Sequence, residues 1–259
     1  MILAIDIGNS NICIGGLAGE AHRDILFTTR MVTRPRCTAD EYTAELKFLL
    51  RRIGVTPADA QGVIVCSVVP GLTRPLADAC RRLTGRDAML VSVALDTGLT
   101  MDVDAPERVG QDRLADAAAA AARYPLPCMT VDLGTATTYN VIGEGGVFLG
   151  GFIVPGVQTS LRAISAGTAQ LPPIAPETPG ELIGKNTVAC LNNGAMFGTA
   201  AMLDGLADRV EAQLGRPLTV VATGGLAPYI LPCCKRRVHY DADLLFRGLA
   251  LLYRKNQKS

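Results

Sequence analysis

The chain opens on a short apolar run, Ile2-Leu3-Ala4-Ile5, that meets a carboxylate at Asp6 and polar turn residues at Gly8-Asn9-Ser10-Asn11. A second apolar run follows, Ile12-Cys13-Ile14-Gly15-Gly16-Leu17. Short apolar runs bounded by glycine and polar residues predict strands rather than helices. The opening therefore reads as two strands joined by a turn. The same pattern returns 126 residues downstream, from Asp6 to Asp132. There Thr130-Val131-Asp132-Leu133 meets Gly134-Thr135-Ala136-Thr137, and Thr138-Tyr139-Asn140-Val141-Ile142 follows. In each half a third strand comes next (25–29 and 147–154), then helical stretches (near 39–53 and near 186–214). Each half then reaches a buried strand that ends in a turn, 62–67 in one and 218–225 in the other. The echo predicts two related halves, 1–122 and 123–259.

Helical spacing supports the remaining elements. Tyr42, Leu46, Leu49, Leu50 and Ile53 recur at three and four residues, one face of a helix begun by Thr38 or Asp40 as cap. The segment 109–124 carries an unbroken run from Ala117 to Ala122 before Pro125. Alanine is the best helix former and lets backbones approach closely. This helix is expected at the junction of the halves or at a subunit contact. A last helix, 241–255, would start on an Asp241 cap and end in basic residues, as the helix dipole favours. The proline-rich stretch 171–179 reads as a loop.

Composition narrows the function classes. Lys plus Arg is 25 and Asp plus Glu is 24, a formal net charge of +1. That balance argues against a dedicated nucleic-acid binder, whose affinity comes from excess cations on phosphates. Aromatic residues are only 5%, too few for a base-stacking platform. No run approaches the ~20 apolar residues of a membrane span. The opening has no basic stretch ahead of its apolar run, so it reads as a strand and not a signal peptide. A cytoplasmic protein with no membrane partner is expected. The eight cysteines are scattered, none in a C-x-x-C pair, and only His22 and His239 could add imidazole. A zinc site is not expected, and Cys233-Cys234 reads as a reduced pair.

The two Asp-Gly turns carry the candidate chemistry. Gly8 allows close backbone approach, and the amides of Asn9, Ser10 and Asn11 can face phosphate oxygens. Asp6 cannot touch phosphate directly, since both are anionic. It would act through Mg²⁺ or its waters, and magnesium takes one or two carboxylates plus phosphate oxygens. The alternative is that Asp6 and Asp132 simply end strands at turns. Their repetition with matching flanks favours phosphate. Gly224-Gly225, between a strand and a helix, suits a base or ribose lying on backbone. One candidate base lies between the halves, in Gly110-Gln111-Asp112-Arg113. A carboxylate beside an arginine at a helix N-terminus should keep its charge, and could align a substrate hydroxyl. The alternative is a capping aspartate beside an exposed arginine.

The turns and the glycine pair together resemble the actin-like ATPase and sugar-kinase superfamily. That resemblance implies an α/β fold of duplicated ribonuclease-H-like domains with ATP in the interdomain cleft. More narrowly, the chain resembles the type III pantothenate kinases nearly end to end. The resemblance rests on Asp6-Ile7-Gly8-Asn9-Ser10-Asn11, Thr38-Ala39-Asp40-Glu41-Tyr42, Ser67-Val68-Val69-Pro70, Gly110-x-Asp112-Arg113 and Asp132-Leu133-Gly134-Thr135-Ala136-Thr137-Thr138. It continues through Gly150-Gly151-x-Ile153-x-Pro155-Gly156, Ile183-Gly184-Lys185-Asn186-Thr187 and Ala222-Thr223-Gly224-Gly225-Leu226. It implies phosphorylation of pantothenate by ATP, the first step of coenzyme A biosynthesis, in a homodimer.

By the same resemblance, Asp6, Ile7, Gly8, Asn9, Ser10, Asn11, Ile12 and Cys13 bind ATP, with Asp6 on magnesium through water. Thr135, Gly224 and Gly225 also meet the nucleotide. Asp112 is the general base. Gly110, Gln111, Arg113 and Thr187 bind pantothenate with it. Asp132 holds a monovalent cation, K⁺ or NH₄⁺. The chain departs from the family pattern at four places. Val103 stands where tyrosine is common, Gln111 where alanine is usual, Ser10 for threonine, and Gln170 where lysine is frequent. Two alternatives remain: a kinase of another small alcohol, or a non-catalytic, ATP-sensing regulatory relative.

Overall fold

The structure, a computed structural model, describes residues 1–18 and 24–257, so His22 lies outside the described residues. The chain forms two compact units. The first comprises Met1–Leu99, Asp104–Ala119 and Leu244–Ser259, and the second Thr100–Val103 and Ala120–Asp243. The division between the units falls inside the alanine-rich helix, between Ala119 and Ala120. Two segments depart from the simple halving. Residues 100–103 join the second unit, and the chain from Leu244 onward joins the first.

In the first unit five strands lie in the order β3-β2-β1-β4-β5. They are β1 (Ile2–Ile7), β2 (Asn11–Ala18), β3 (Asp24–Val32), β4 (Gly62–Ser67) and β5 (Ala88–Leu90). The first three run antiparallel, while β4 lies parallel to β1 and to β5. Strand β1 is central, so it is apolar on both faces. Leu3, Ile5 and Ile7 pack with Tyr42, Leu46 and Leu50 of α1 (Ala39–Arg52) and with Leu72 and Leu76 of α2 (Pro70–Thr84). Thr38 caps α1 with a reciprocal capping box to Glu41. Because side chains alternate along a strand, Ala4 and Asp6 fall on the other face.

Helix α7 (Leu244–Lys255) covers β1, β2 and β4. It fits because glycines clear its path. A Cβ on Gly15 would stand 2.8 Å from the Phe246 ring, and one on Gly62 only 1.8 Å from Tyr253 Oη. Gly248 in turn lets α7 approach α3 (Gln111–Arg123), where a Cβ would sit 2.1 Å from the Ala115 carbonyl. The helix starts at Leu244 rather than at Asp241. The buried Asp241 carboxylate instead accepts the Asp243 N–H (3.1 Å) and the Tyr124 hydroxyl (3.3 Å).

The second unit repeats the plan. Its sheet runs β11-β10-β7-β8-β9-β6. The strands are β6 (Thr100–Met101), β7 (Cys128–Leu133), β8 (Ala136–Ile142), β9 (Val147–Pro155), β10 (Thr219–Thr223) and β11 (His239–Tyr240). Met129, Val131 and Leu133 pack on Met196, Ala200 and Leu203 of the long helix α5 (Thr187–Leu214). A shorter helix, α4 (Val157–Ala166), precedes an irregular stretch, 167–186, that contains the predicted loop. Helix α6 (Ala227–Ile230) is a single turn after the glycine pair. All eight cysteines, including Cys233 and Cys234, are free thiols.

Candidate active site

The first cluster follows from strand register. Asp6 sits opposite Cys13 across the β1–β2 hairpin and opposite Cys66 on parallel β4. The Cys66 thiol donates to the Asp6 carboxylate. Burial pushes that thiol well above its ordinary pKa, and the carboxylates of Asp6, Asp112 and Asp116 push it further. Of the three, only Asp6 is hydrogen-bonded to that thiol. Asp116 was not among the expected site residues. Its signal was its place one turn after Asp112 on an alanine helix.

The N-terminus of α3 is tied to the end of β4. The Gly110 carbonyl accepts the Leu114 N–H (3.0 Å), and Gln111 Oε1 accepts the Ser67 N–H (2.9 Å). Asp112 Oδ1 accepts the Arg113 N–H (2.7 Å). Gly110 is needed for this, because a Cβ there would stand 2.5 Å from Asp112 Oδ1. Asp112 thus lies within the first turn and is not the cap, and Arg113 is half-buried rather than exposed. Burial raises the Asp112 pKa above the ordinary carboxylate value, against the lowering effect of the Arg113 N–H and charge. Burial likewise lowers the Arg113 pKa.

The loop from Ile7 to Ile12 is held from behind. Gly8 N–H donates to the Asn11 carbonyl (3.0 Å), and a Cβ on Gly8 would lie 3.0 Å from that same oxygen. Thr33 clasps the loop by donating its hydroxyl to the Gly8 carbonyl (2.6 Å) and its N–H to the Ser10 carbonyl (3.1 Å). Nothing in the sequence pattern marked Thr33. Asn9, Ser10 and Asn11 stay exposed, Cys13 is half-buried, and Ile7 and Ile12 are buried.

The second cluster occupies the equivalent place in the other unit. Asp132 lies opposite Thr138 on β8 and Thr223 on β10. Gly224 has φ +94°, and a Cβ there would stand 2.5 Å from Asp132 Oδ1 and 2.6 Å from the Leu133 nitrogen. Gly134 flanks the other carboxylate oxygen, its Cβ position 3.4 Å from Oδ2. Thr135 is exposed, and its carbonyl accepts the Gly156 N–H (3.1 Å) and the Thr159 hydroxyl (2.7 Å). Gly225 is likewise exposed. Thr187 opens α5, exposed, just after Asn186, whose Oδ1 accepts the Ala189 N–H (2.9 Å). Val103 Cγ1 lies 3.8 Å from where a Cβ on Gly150 would be.

The structure thus gathers Asp6, Gly110, Gln111, Asp112 and Arg113 in one unit. It gathers Asp132, Gly134 and Gly224 in the other. Among the described residues no three His, Cys, Asp or Glu side chains converge as a metal site. A single carboxylate at Asp6, followed by an exposed loop, fits a magnesium ion held through water and shared with phosphate. Asp132, a carboxylate with glycine on both sides, offers hard oxygen to a cation in the same way.

Known proteins give this geometry a family. The sequence profile of the type III pantothenate kinases matches residues 2–209. The type III pantothenate kinase of Dehalococcoides mccartyi is 37% identical over 256 residues, covering 99% of this chain and 98% of its own. That of Moorella thermoacetica is 38% identical over 256 residues, covering 99% of this chain and all of its own. Among solved structures, component A of the (R)-2-hydroxyglutaryl-CoA dehydratase of Acidaminococcus fermentans superposes with a TM-score of 0.55 at 12% identity. It covers 98% of this chain and 96% of its own. The ROK hexokinase of Thermus thermophilus gives 0.51 at 17% identity, covering 97% of each chain. These two likenesses bear on fold alone, and the fold is the duplicated ribonuclease-H-like one of actin-like ATPases and sugar kinases. The full-length identity and the matching profile together make this chain a member of the type III pantothenate kinase family.

Proposed function

We propose that the protein transfers the γ-phosphoryl group of ATP to the primary hydroxyl of pantothenate, giving 4′-phosphopantothenate and ADP at the first step of coenzyme A synthesis. The observation that carries the reading is family membership along the whole chain. The hydroxyl oxygen bonds to the γ-phosphorus as the bond to the bridging oxygen breaks. Asp112 accepts the hydroxyl proton and aligns the oxygen on phosphorus. Such transfers have loose transition states, so positioning outweighs proton abstraction.

Residues Asp6 to Cys13 cradle the phosphates, and Thr135, Gly224 and Gly225 receive the nucleotide. Gly110, Gln111, Arg113 and Thr187 form the acceptor side, with the Gln111 side chain already committed to Ser67. Asp6 would hold magnesium through its waters, and Asp132 would hold K⁺ or NH₄⁺. Bound there, these cations supply the charge neutralisation that a near-neutral chain lacks. Exposed Leu182, Ile183 and Val188 support a homodimer. No described helix is long and apolar enough to cross a membrane, and we place the enzyme in the cytoplasm with its substrates.

The test is ATP consumption with pantothenate in potassium, ammonium, sodium and cation-free buffer, beside a panel of other small alcohols. Pantothenate-dependent ADP release is expected, faster in potassium or ammonium than in sodium. No pantothenate dependence would overturn the substrate. Equal rates in all four buffers would remove the cation from Asp132.

A further inference from the structure

The irregular stretch 167–186 leads directly into Thr187, and its backbone is held by side chains rather than by a sheet. Two consecutive asparagines on the second turn of α5 do most of the holding. Asn192 Oδ1 accepts the Glu177 N–H (3.0 Å), while its Nδ2 donates to the Glu177 carbonyl (3.0 Å). One primary amide thus satisfies both polar groups of a strandless residue. Asn193 Nδ2 donates to the carbonyls of Glu181 (2.6 Å) and Leu182 (3.2 Å). Both side chains are largely buried, at 9% and 7% exposure. Buried amides with good partners are costly to lose, because a removed partner leaves a desolvated group behind.

The same segment is tied again closer to Thr187. The Cys190 thiol donates to the Gly184 carbonyl (3.3 Å), and Gly184 packs so tightly that a Cβ would stand 2.6 Å from the Cys190 nitrogen. Asn186 then caps α5. A continuous set of contacts runs from Asn192 and Asn193 through Glu177, Glu181, Leu182 and Gly184 to Thr187. Leu182 and Ile183, at 65% and 77% exposure, are held at the surface by this clasp instead of collapsing onto the core.

We propose that Asn192 and Asn193 are positioning residues for the acceptor side of the reaction. They fix the 177–186 strap, and so set where Thr187 and its apolar neighbours meet the pantothenate chain. The proposal rests on the reading of Thr187 as an acceptor contact. Neither asparagine touches substrate. Their effect falls on acceptor affinity and leaves nucleotide binding unchanged.

The experiment compares Asn192→Asp, Asn192→Leu and Asn193→Ala with wild type. It records KM for pantothenate, KM for ATP, kcat, melting temperature and hydrogen exchange over 177–187. Asn192→Asp keeps the acceptor for the Glu177 N–H but loses the donor to its carbonyl, so it serves if the leucine variant fails to fold. The expected result is a rise in pantothenate KM of about tenfold. The ATP KM should stay within twofold, and protection should fall only across the strap. A pantothenate KM within twofold of wild type in all variants overturns the proposal. So does a parallel change in both KM values with a lowered melting temperature, which would mark a purely structural role. A wild type that ignores pantothenate overturns the functional reading instead, and that arm is read before any variant.

Discussion

Burial raises the proton affinity of Asp112 against the opposing pull of Arg113. Two consequences follow at that residue. Between the ordinary carboxylate value and the raised one, the folded protein holds a proton there that the unfolded chain has already released. Stability contributed by that proton is full below the ordinary carboxylate value and is lost as pH rises to the raised one. At neutral pH the carboxylate therefore costs stability. Asp112→Asn should melt higher than wild type at pH 7, with the gap closing toward pH 3; an equal or lower melting point at pH 7 would contradict it. The same substitution should cut kcat by at least ~10², a barrier increase of about 3 kcal/mol. KM for ATP should move little. An asparagine enzyme with near wild-type turnover would remove Asp112 from the base role. Sequence alone could place a carboxylate beside an arginine, but not weigh water loss against that charge. Spacing says which groups are neighbours along the chain, whereas burial depends on what the other elements cover.

Elements were legible where a local rule determines them. The spacing of Tyr42, Leu46 and Leu50 fixes the buried face of α1, and Thr38 with Glu41 marks its start. Helix α7 was misplaced at its start because Asp241 looks like a cap. Its carboxylate is instead taken up by Asp243 and Tyr124, which no local pattern reveals. The glycines show the same limit. Their number was visible, but not that Gly15 and Gly62 clear a path for a helix that follows the whole second unit, or that Gly248 clears one for its partner α3. Gly248→Ala puts a methyl group 2.1 Å from a backbone oxygen that cannot rotate away. We expect it to cost about 1–3 kcal/mol in chemical denaturation, the usual range for overpacking. An unchanged midpoint would show that α3 and α7 can separate freely. Gly224→Ala meets both a positive φ and the Asp132 carboxylate. It should weaken nucleotide binding more than Gly225→Ala, whose position is open; titration with an ATP analogue compares the two.

At the scale of the molecule, one plan is used twice. The order β3-β2-β1-β4-β5 in the first unit matches β9-β8-β7-β10-β11 in the second. Asp6 and Asp132 hold the same place on the central strand of each. The 126-residue echo predicted this because a turn must repeat its glycine wherever it repeats its backbone. The return of α7 to the first unit was not predicted, since an amphipathic helix declares a buried face but not its partner. Leu244, Leu249 and Leu252 are each fully buried. At about 1.5–3 kcal/mol apiece, their burial rivals the ~5–15 kcal/mol that holds a whole domain folded. A chain ended at Asp243 should therefore lose cooperative melting of the first unit, measured by circular dichroism. A truncated chain that melts as wild type does would deny α7 that role.

The placement of α7 also orders events during synthesis. A ribosome makes β1 long before the helix that covers it, which emerges only after the entire second unit. Domains made in sequence usually fold in sequence, but here the first sheet must wait, one face bare, until α7 has followed the second unit off the ribosome. The second unit, whose strands and covering helix α5 emerge together, is free to fold before the first is complete. A nascent chain stalled after Asp243 would display the unprotected apolar face of β1, β2 and β4, and would be a natural client for chaperones.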